Sequence, residues 1–262
     1  MARISSHSNR KRPAQTATRL AGILFTAVFL VMAGAGGAQA DMMASACKKT
    51  YAPQTLDVTQ PINLGQLKNQ LYFYACSGAY DSDLNKVLSE ARAYVAMRAG
   101  EVQKPAIVLD IDETSLSNLP VELADDFAYL RDIACVPDMS KPCGFNNWVA
   151  EARAKPIDGT LALFKTAKQR NAAVFFITGR HENERAATEK NLKATGFDGW
   201  DGLVLRRAND NMTVIEYKSG ARANIAQEGY TIIANVGDQH SDLAGGYAER
   251  AYKLPNPFYF IP

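Results

Sequence analysis

No stretch of this chain limits its fold more than Ala106-Ile-Val-Leu-Asp-Ile-Asp-Glu-Thr-Ser-Leu-Ser-Asn118. It opens with the apolar run Ala106 to Leu109, which suits a buried strand and is too short for a helix. The run then breaks into Asp110 and Asp112, one residue apart, with Glu113 and Thr114 behind them. A strand that ends in paired carboxylates puts them at the carboxyl edge of a sheet, where open α/β folds keep their ligands. Two like charges this close repel unless a cation sits between them or one carries a proton. A hard cation such as Mg²⁺, bound through one or two carboxylates and a phosphate, relieves that repulsion. The competing reading is a solvated turn, since Asp is common in turns.

Residues 1–40 read as an export signal. Arg10, Lys11, Arg12 and Arg19 precede an apolar run from Leu20 to Met32, and a small-residue tract ends in Ala38-Gln39-Ala40. That is a charged region, an apolar region and a peptidase site, with cleavage expected between Ala40 and Asp41. The run falls short of the roughly 20 apolar residues needed to span a bilayer, so no stable membrane anchor is expected after cleavage. A periplasmic or secreted protein results. Of 29 Lys and Arg, five fall before Asp41, which leaves 24 against 27 acidic residues and a net charge of −3. The +2 of the whole chain is therefore no argument for a nucleic-acid partner. All four cysteines, Cys47, Cys76, Cys135 and Cys143, lie in the mature part. An even count in an exported chain favours disulfides, and sequence order suggests Cys47–Cys76 and Cys135–Cys143. Zinc is the alternative, but no C-x-x-C pair exists and His7, His181 and His240 do not cluster.

Residues 41–262 are long enough for one domain with one core. Residues 41–103 form a helical extension: Leu64, Leu67, Leu71 and then Leu84, Val87, Leu88, Ala91, Tyr94 and Val95 recur at helical spacing, with Asp81 or Ser82 as candidate caps of the second helix. Residues 104–262 form the core, interrupted at about 115–157 by a segment without strand alternation that holds Trp148. An insertion directly after the first strand is a natural lid or pocket wall; an ordinary amphipathic helix around Trp148 is the equal alternative. Beyond Gly159 the pattern alternates. Leu161–Arg170, Glu184–Ala194 and a segment closing at Ile225, Ala226 and Tyr230 read as helices. Ala172–Ile177, Gly202–Leu205 and Thr231–Val236 read as strands. Alternation of this kind predicts an α/β three-layer sandwich around a mostly parallel, Rossmann-like sheet.

Asp110 and Asp112, Thr178, and Asp238 and Asp242 each follow an apolar strand. Parallel strands bring those ends to one side, so at least three carboxylates and a hydroxyl converge, with Mg²⁺ as the evident partner. A site of acids that binds an anion needs a cation of its own. Lys218 stands in the right part of the chain, whereas Lys190 and Lys193 read as solvent-facing on their helix.

These motifs, in this order, resemble the haloacid-dehalogenase superfamily of phosphotransferases. D-x-D-x-T is Asp110-Ile-Asp112-Glu-Thr114; Ile177-Thr178-Gly179-Arg180, Lys218 and Gly237-Asp238-Gln-His-Ser-Asp242 follow. More closely, Leu109 to Pro120, Tyr217-Lys-Ser219, Gly237-Asp-Gln239 and Lys253-Leu-Pro-Asn-Pro257 resemble the class B-type acid phosphatases (subfamily IIIB) grouped with plant vegetative storage proteins. The resemblance implies a haloacid-dehalogenase-like fold with a small cap, and an exported Mg²⁺-dependent acid phosphatase of small phosphomonoesters. It implies that Asp110 attacks phosphorus and forms an aspartyl-phosphate, and that Asp112 serves as general acid and then base. It implies that Asp110, the Asp112 carbonyl and Asp238 hold Mg²⁺, and that Thr178, Gly179 and Lys218 bind phosphate. Asp242 supports Lys218 or a metal-bound water; Asn118, Trp148 and Arg180 are candidate pocket residues. A nucleotide-selective phosphatase, a phosphotransferase and a non-catalytic storage or binding protein are the alternatives.

Overall fold

The structure, a computed structural model, describes Cys47, residues 51–53, 55 and 56, and residues 59–262. The export signal and its cleavage site lie outside the described residues. In chain order the elements are helices α1 (Leu64–Cys76) and α2 (Ala79–Arg98), strand β1 (Pro105–Leu109) and the short strand β2 (Leu116–Ser117). Helices α3 (Leu119–Ala124) and α4 (Phe145–Glu151), strand β3 (Lys155–Pro156) and helix α5 (Asp158–Gln169) follow. Then come β4 (Ala173–His181), α6 (Arg185–Ala194), β5 (Gly202–Arg206) and α7 (Val214–Gln227). Strand β6 (Thr231–Gly237), the short helix α8 (His240–Leu243) and β7 (Arg250–Lys253) complete the chain.

The main sheet runs β5-β4-β1-β6-β7, and every neighbouring pair is parallel. Its strands sort their side chains by alternation, as a sheet covered on both faces requires. Ile107, Leu109, Val174, Phe176 and Ile233 pack with Leu84 and Leu88 of α2 and Leu163 and Phe164 of α5. On the other face, Ala106, Val108, Phe175 and Ile177 pack with Tyr217, Ala221 and Ile225 of α7. This is the expected three-layer α/β sandwich. Helices α2 and α5 lie close: a Cβ on Gly159 would stand 2.8 Å from Leu88 Cδ1. Only a glycine leaves room for that approach.

Several local readings change. Helix α2 starts at Ala79 rather than behind Asp81 or Ser82, because Gly78 takes a φ of 82° and turns the chain earlier. Asp81 falls in the first turn, where its charge suits the helix dipole. Strand β4 does not stop at Ile177 but continues to His181, with a register shift to β5 between those residues. Helix α7 ends at Gln227, short of Tyr230. The segment after β1 does contain strands: β2 and β3 pair antiparallel, Leu116 with Pro156 and Ser117 with Lys155, and close its neck. Trp148 lies on α4 and is 1% exposed. It is a packed residue of a short helix, not an open wall.

Both disulfides form as sequence order suggests, Cys47–Cys76 and Cys135–Cys143, and no cysteine is free. Closing such loops constrains the unfolded chain by about 2–4 kcal/mol each. Among the described residues, no helix is long and apolar enough to cross a membrane.

Candidate active site

The topology fixes where the polar residues meet. Strand β1 is central, the chain first winds outward through β4 and β5, and β6 then returns to the other side of β1. Such a reversal opens a crevice beyond the carboxyl ends of the strands. The registers pair Leu109 with Phe176 and with Val236. Asp110, Thr178 and Asp238 therefore follow within two residues of one aligned row.

Asp110 extends the ladder, its N–H donating to the Val236 carbonyl at 3.0 Å. Its own carbonyl accepts from the Ser115 hydroxyl at 2.6 Å. Lys218, buried on α7, stands 2.5 Å from Asp110 Oδ1 and 2.5 Å from Asp242 Oδ1. The ammonium thus bridges two carboxylates. Asp242 Oδ2 accepts from the Gln239 N–H at 2.8 Å, which caps α8. Gly237 makes this possible, since a Cβ there would lie 2.4 Å from Asp242 Cβ. Behind it, Arg222 donates to the carbonyls of Asp242, Ala244 and Gly246, and the Asn235 amide donates to the Asp242 carbonyl. Asp238 is held separately: Oδ2 accepts from Gln239 Nε2 and Asn256 Nδ2, each at 2.7 Å, and Oδ1 from the Thr114 hydroxyl at 3.1 Å.

Asp112 faces the other way into its own clamp. Arg180 donates through Nε to both carboxylate oxygens at 3.1 Å and through Nη2 to Oδ1 at 2.7 Å. The Asn118 amide adds a bond of 2.8 Å. Asn118 is itself fixed, its Oδ1 accepting from the Trp148 indole at 2.8 Å and its N–H groups donating to Glu113. The structure thus gathers Asn118, Trp148 and Arg180 behind Asp112. The Thr178 hydroxyl is buried and accepts from the Arg180 N–H at 3.1 Å, while Gly179 beside it is exposed.

Burial raises the Asp110 carboxyl well above the ordinary carboxylate range; Lys218 opposes that, and Asp242, Asp238 and Asp112 add to it. Burial also works against ionised Asp112, but Arg180 and Asn118 outweigh it and hold that carboxyl below its usual value. For Lys218, burial alone would lower the ammonium, and Asp110 and Asp242 more than reverse it. The two neighbouring carboxyls are thereby driven in opposite directions, an order that by itself favours the proton on Asp110; a cation beside Asp110 would favour its ionised form instead.

Carboxylate oxygens of Asp110, Asp238 and Asp242 lie within 4.8 Å of one another. The donors are all oxygens, the set is negative, and Lys218 is the cation in direct contact with it among the described residues, so the residues present fit a hard divalent cation. The side chain of Asp112 is outside this cluster, its oxygens being taken by Arg180 and Asn118.

Glu122, partly exposed at the start of the inserted segment, has its carboxyl pushed up to about 8 by burial and by Asp125, Asp112 and Asp238. Between about pH 4.5 and 8 the folded chain holds a proton that the unfolded chain has released, so stability falls as pH rises through that window. Glu122→Gln removes the dependence. In the presence of chelator we expect it to raise stability at pH 8 by about 1–2 kcal/mol, a figure discounted for its solvent exposure, and to change little at pH 5. Thermal unfolding at both pH values reads this directly. Equal shifts at the two pH values would show that Glu122 is ionised in the fold.

Sequence reasoning missed Asn256, Tyr259, Glu113, Arg222 and Asn235. The only signal for the first was the Lys253-Leu-Pro-Asn-Pro257 motif, which carried a resemblance but no role.

A parallel sheet with acids at its carboxyl edge, a bridging lysine and an insertion after the first strand defines a haloacid-dehalogenase-type enzyme. Residues 37–262 match the model of the HAD superfamily, subfamily IIIB (Acid phosphatase), and the chain belongs to that family. It is therefore an enzyme of the acid phosphatase class, acting on small phosphomonoesters. Acid phosphatase 1 of Solanum lycopersicum is 34% identical over 191 residues, 72% of each chain. Vegetative storage protein 1 of Arabidopsis thaliana is 29% identical, over 71% of this chain and 67% of its own. Among solved structures, the class C acid phosphatase from Bacillus anthracis with tungstate bound has the same fold. It superimposes with a TM-score of 0.56 at 20% identity, over 72% of this chain and 82% of the other.

Proposed function

We propose that the protein is an exported, Mg²⁺-dependent acid phosphatase that hydrolyses phosphomonoesters through an aspartyl-phosphate on Asp110. The observation that carries this reading is the Lys218 bridge between Asp110 and Asp242, beside Asp238, with all three carboxylates within 4.8 Å. Asp110 supplies the attacking oxygen, and the covalent intermediate splits one hard displacement into two easier ones. Lys218, Thr178 and Gly179 bind the phosphoryl oxygens, and Asp242 holds Lys218 in place. Asp112 protonates the leaving alcohol and then takes a proton from the attacking water. Its clamped, ionised form matches the second task; for the first it must take up a proton before the ester bond breaks. Asp110, the Asp112 carbonyl and Asp238 are the residues that would hold Mg²⁺, with Asp242 adjoining. Bound there, the cation supplies neutralisation of charge on the transferring phosphoryl group.

Export is supported by the segments of residues 1–40 and by the pairing of all four cysteines. In a turnover assay with p-nitrophenyl phosphate, we expect chelation by EDTA to abolish activity and added Mg²⁺ to restore it, while circular dichroism stays native. Ca²⁺ should substitute poorly, because its larger and looser shell misplaces the nucleophile. Full turnover in EDTA would refute the metal reading. No turnover under any metal would instead point to a storage protein.

A further inference from the structure

The last residues of the chain fold back over the site. Leu254 N–H donates to the Gly237 carbonyl at 2.9 Å, so the segment leaves β7 alongside the acidic loop. Phe258 is buried between Tyr80 and Phe127, with ring centroids 5.0 and 5.7 Å away. The Tyr259 hydroxyl donates to Glu113 at 2.9 Å, and the Ser241 hydroxyl donates to the Ile261 carbonyl at 3.1 Å. This strap is therefore anchored at several points that do not involve Asn256.

Asn256 itself reaches inward. Its Oδ1 accepts from the Phe258 N–H at 2.9 Å. An N–H can only donate, so the amide cannot be turned round, and Nδ2 must face Asp238 Oδ2. Gln239 is oriented by the same device: its Oε1 accepts from the Ile261 N–H at 3.1 Å, which aims Nε2 at the same oxygen. Two backbone N–H groups of the strap thus set two amides, and both amides occupy Oδ2. Oδ1, whose partner is the rotatable hydroxyl of Thr114, is the oxygen left for a cation.

We propose that Asn256 is a positioning residue for metal binding: the C-terminal strap uses it to tie down Oδ2 of Asp238 and present Oδ1 to the divalent ion. The inference rests on Asp238 being a metal ligand. Groups that orient a ligand in this way typically govern about 10–100-fold in metal affinity.

The test uses Mn²⁺ as an EPR-visible probe, titrated into metal-free full-length mature protein. Asn256→Ala removes both bonds of the amide. Asn256→Ser keeps an oxygen that can accept from the Phe258 N–H but is too short to reach Asp238. Tyr259→Phe disturbs the strap without touching Asn256. We expect both Asn256 variants to bind Mn²⁺ about 10–100-fold more weakly, with unfolding temperatures in chelator near that of the parent. Their activity at saturating metal should approach the parent's, with half-activation displaced to higher metal. Tyr259→Phe should bind Mn²⁺ like the parent. Parent-like affinity in Asn256→Ser overturns the proposal. So does an equal loss in Tyr259→Phe, which would make general packing of the strap the cause. A parent protein that takes up no Mn²⁺ removes the metal reading of Asp238 and this proposal with it.

Discussion

The Asp110→Asn enzyme releases no burst of p-nitrophenolate and turns over slower than the parent by on the order of 10⁵–10⁶-fold, the scale of losing a nucleophile in a covalent mechanism. The fold should survive. Lys218 keeps Asp242 as its counter-charge, and an asparagine oxygen can still accept from the ammonium. The variant also removes a carboxyl whose ionised form is disfavoured, first by burial and then by the neighbouring acids. Rapid quenching with radiolabelled phosphomonoester should trap a phosphorylated parent protein and leave the variant unlabelled. Label on another residue of the variant would move the nucleophile elsewhere.

Asp112→Asn should separate the two halves of the reaction. An alkoxide leaving group is strongly basic and needs a proton as its bond breaks, whereas p-nitrophenolate leaves as a stable anion. General acid catalysis contributes about 10²–10⁴-fold, so phosphorylation by an alkyl phosphate should slow by that factor, and by p-nitrophenyl phosphate far less. Hydrolysis of the aspartyl-phosphate should slow as well. With p-nitrophenyl phosphate the variant therefore gives a burst followed by slow turnover. The structure adds a cost. Arg180 is buried, and the variant takes away its anionic partner, leaving an amide and the Thr188 hydroxyl. Orphaning a buried charge typically costs about 3–5 kcal/mol, so the unfolding temperature should drop and the kinetics belong well below it. Equal slowing of the first step for both substrates would reject Asp112 as the acid.

Strands β1, β4 and β6 were legible because they are buried on both faces, and such strands write themselves as continuous apolar runs. Strand β7 was not. It is an edge strand in which Arg250 and Ala251 are exposed and Tyr252 is buried, so its four residues carry no run. The two-residue strands β2 and β3 leave no periodicity at all. At the site, acids that follow an apolar strand announce themselves locally, and the order of motifs did the rest. The clamp on Asp112 did not, since Arg180 is 68 residues away and only the sheet brings it there. Asn256 and Tyr259 were hidden for the same reason: their roles depend on a tail folding back 18 and 146 residues along the chain.

The winding order of the sheet also times the appearance of chemistry during synthesis. A nascent chain that has emerged through β5 already carries Asp110, Asp112, Arg180 and Thr178. It lacks Lys218, Asp238 and Asp242, and it lacks β6, the neighbour that pairs with β1 and whose Val236 carbonyl receives the Asp110 N–H. The segment that grips Asp238 follows later than any of these parts. On the proposed mechanism, a chain that stops at β5 carries Asp110 without the lysine and carboxylates that would put it to use. A chain stopped before β6 should therefore be inert, whereas one that reaches Asp242 but lacks Asn256 should lose metal affinity rather than all activity.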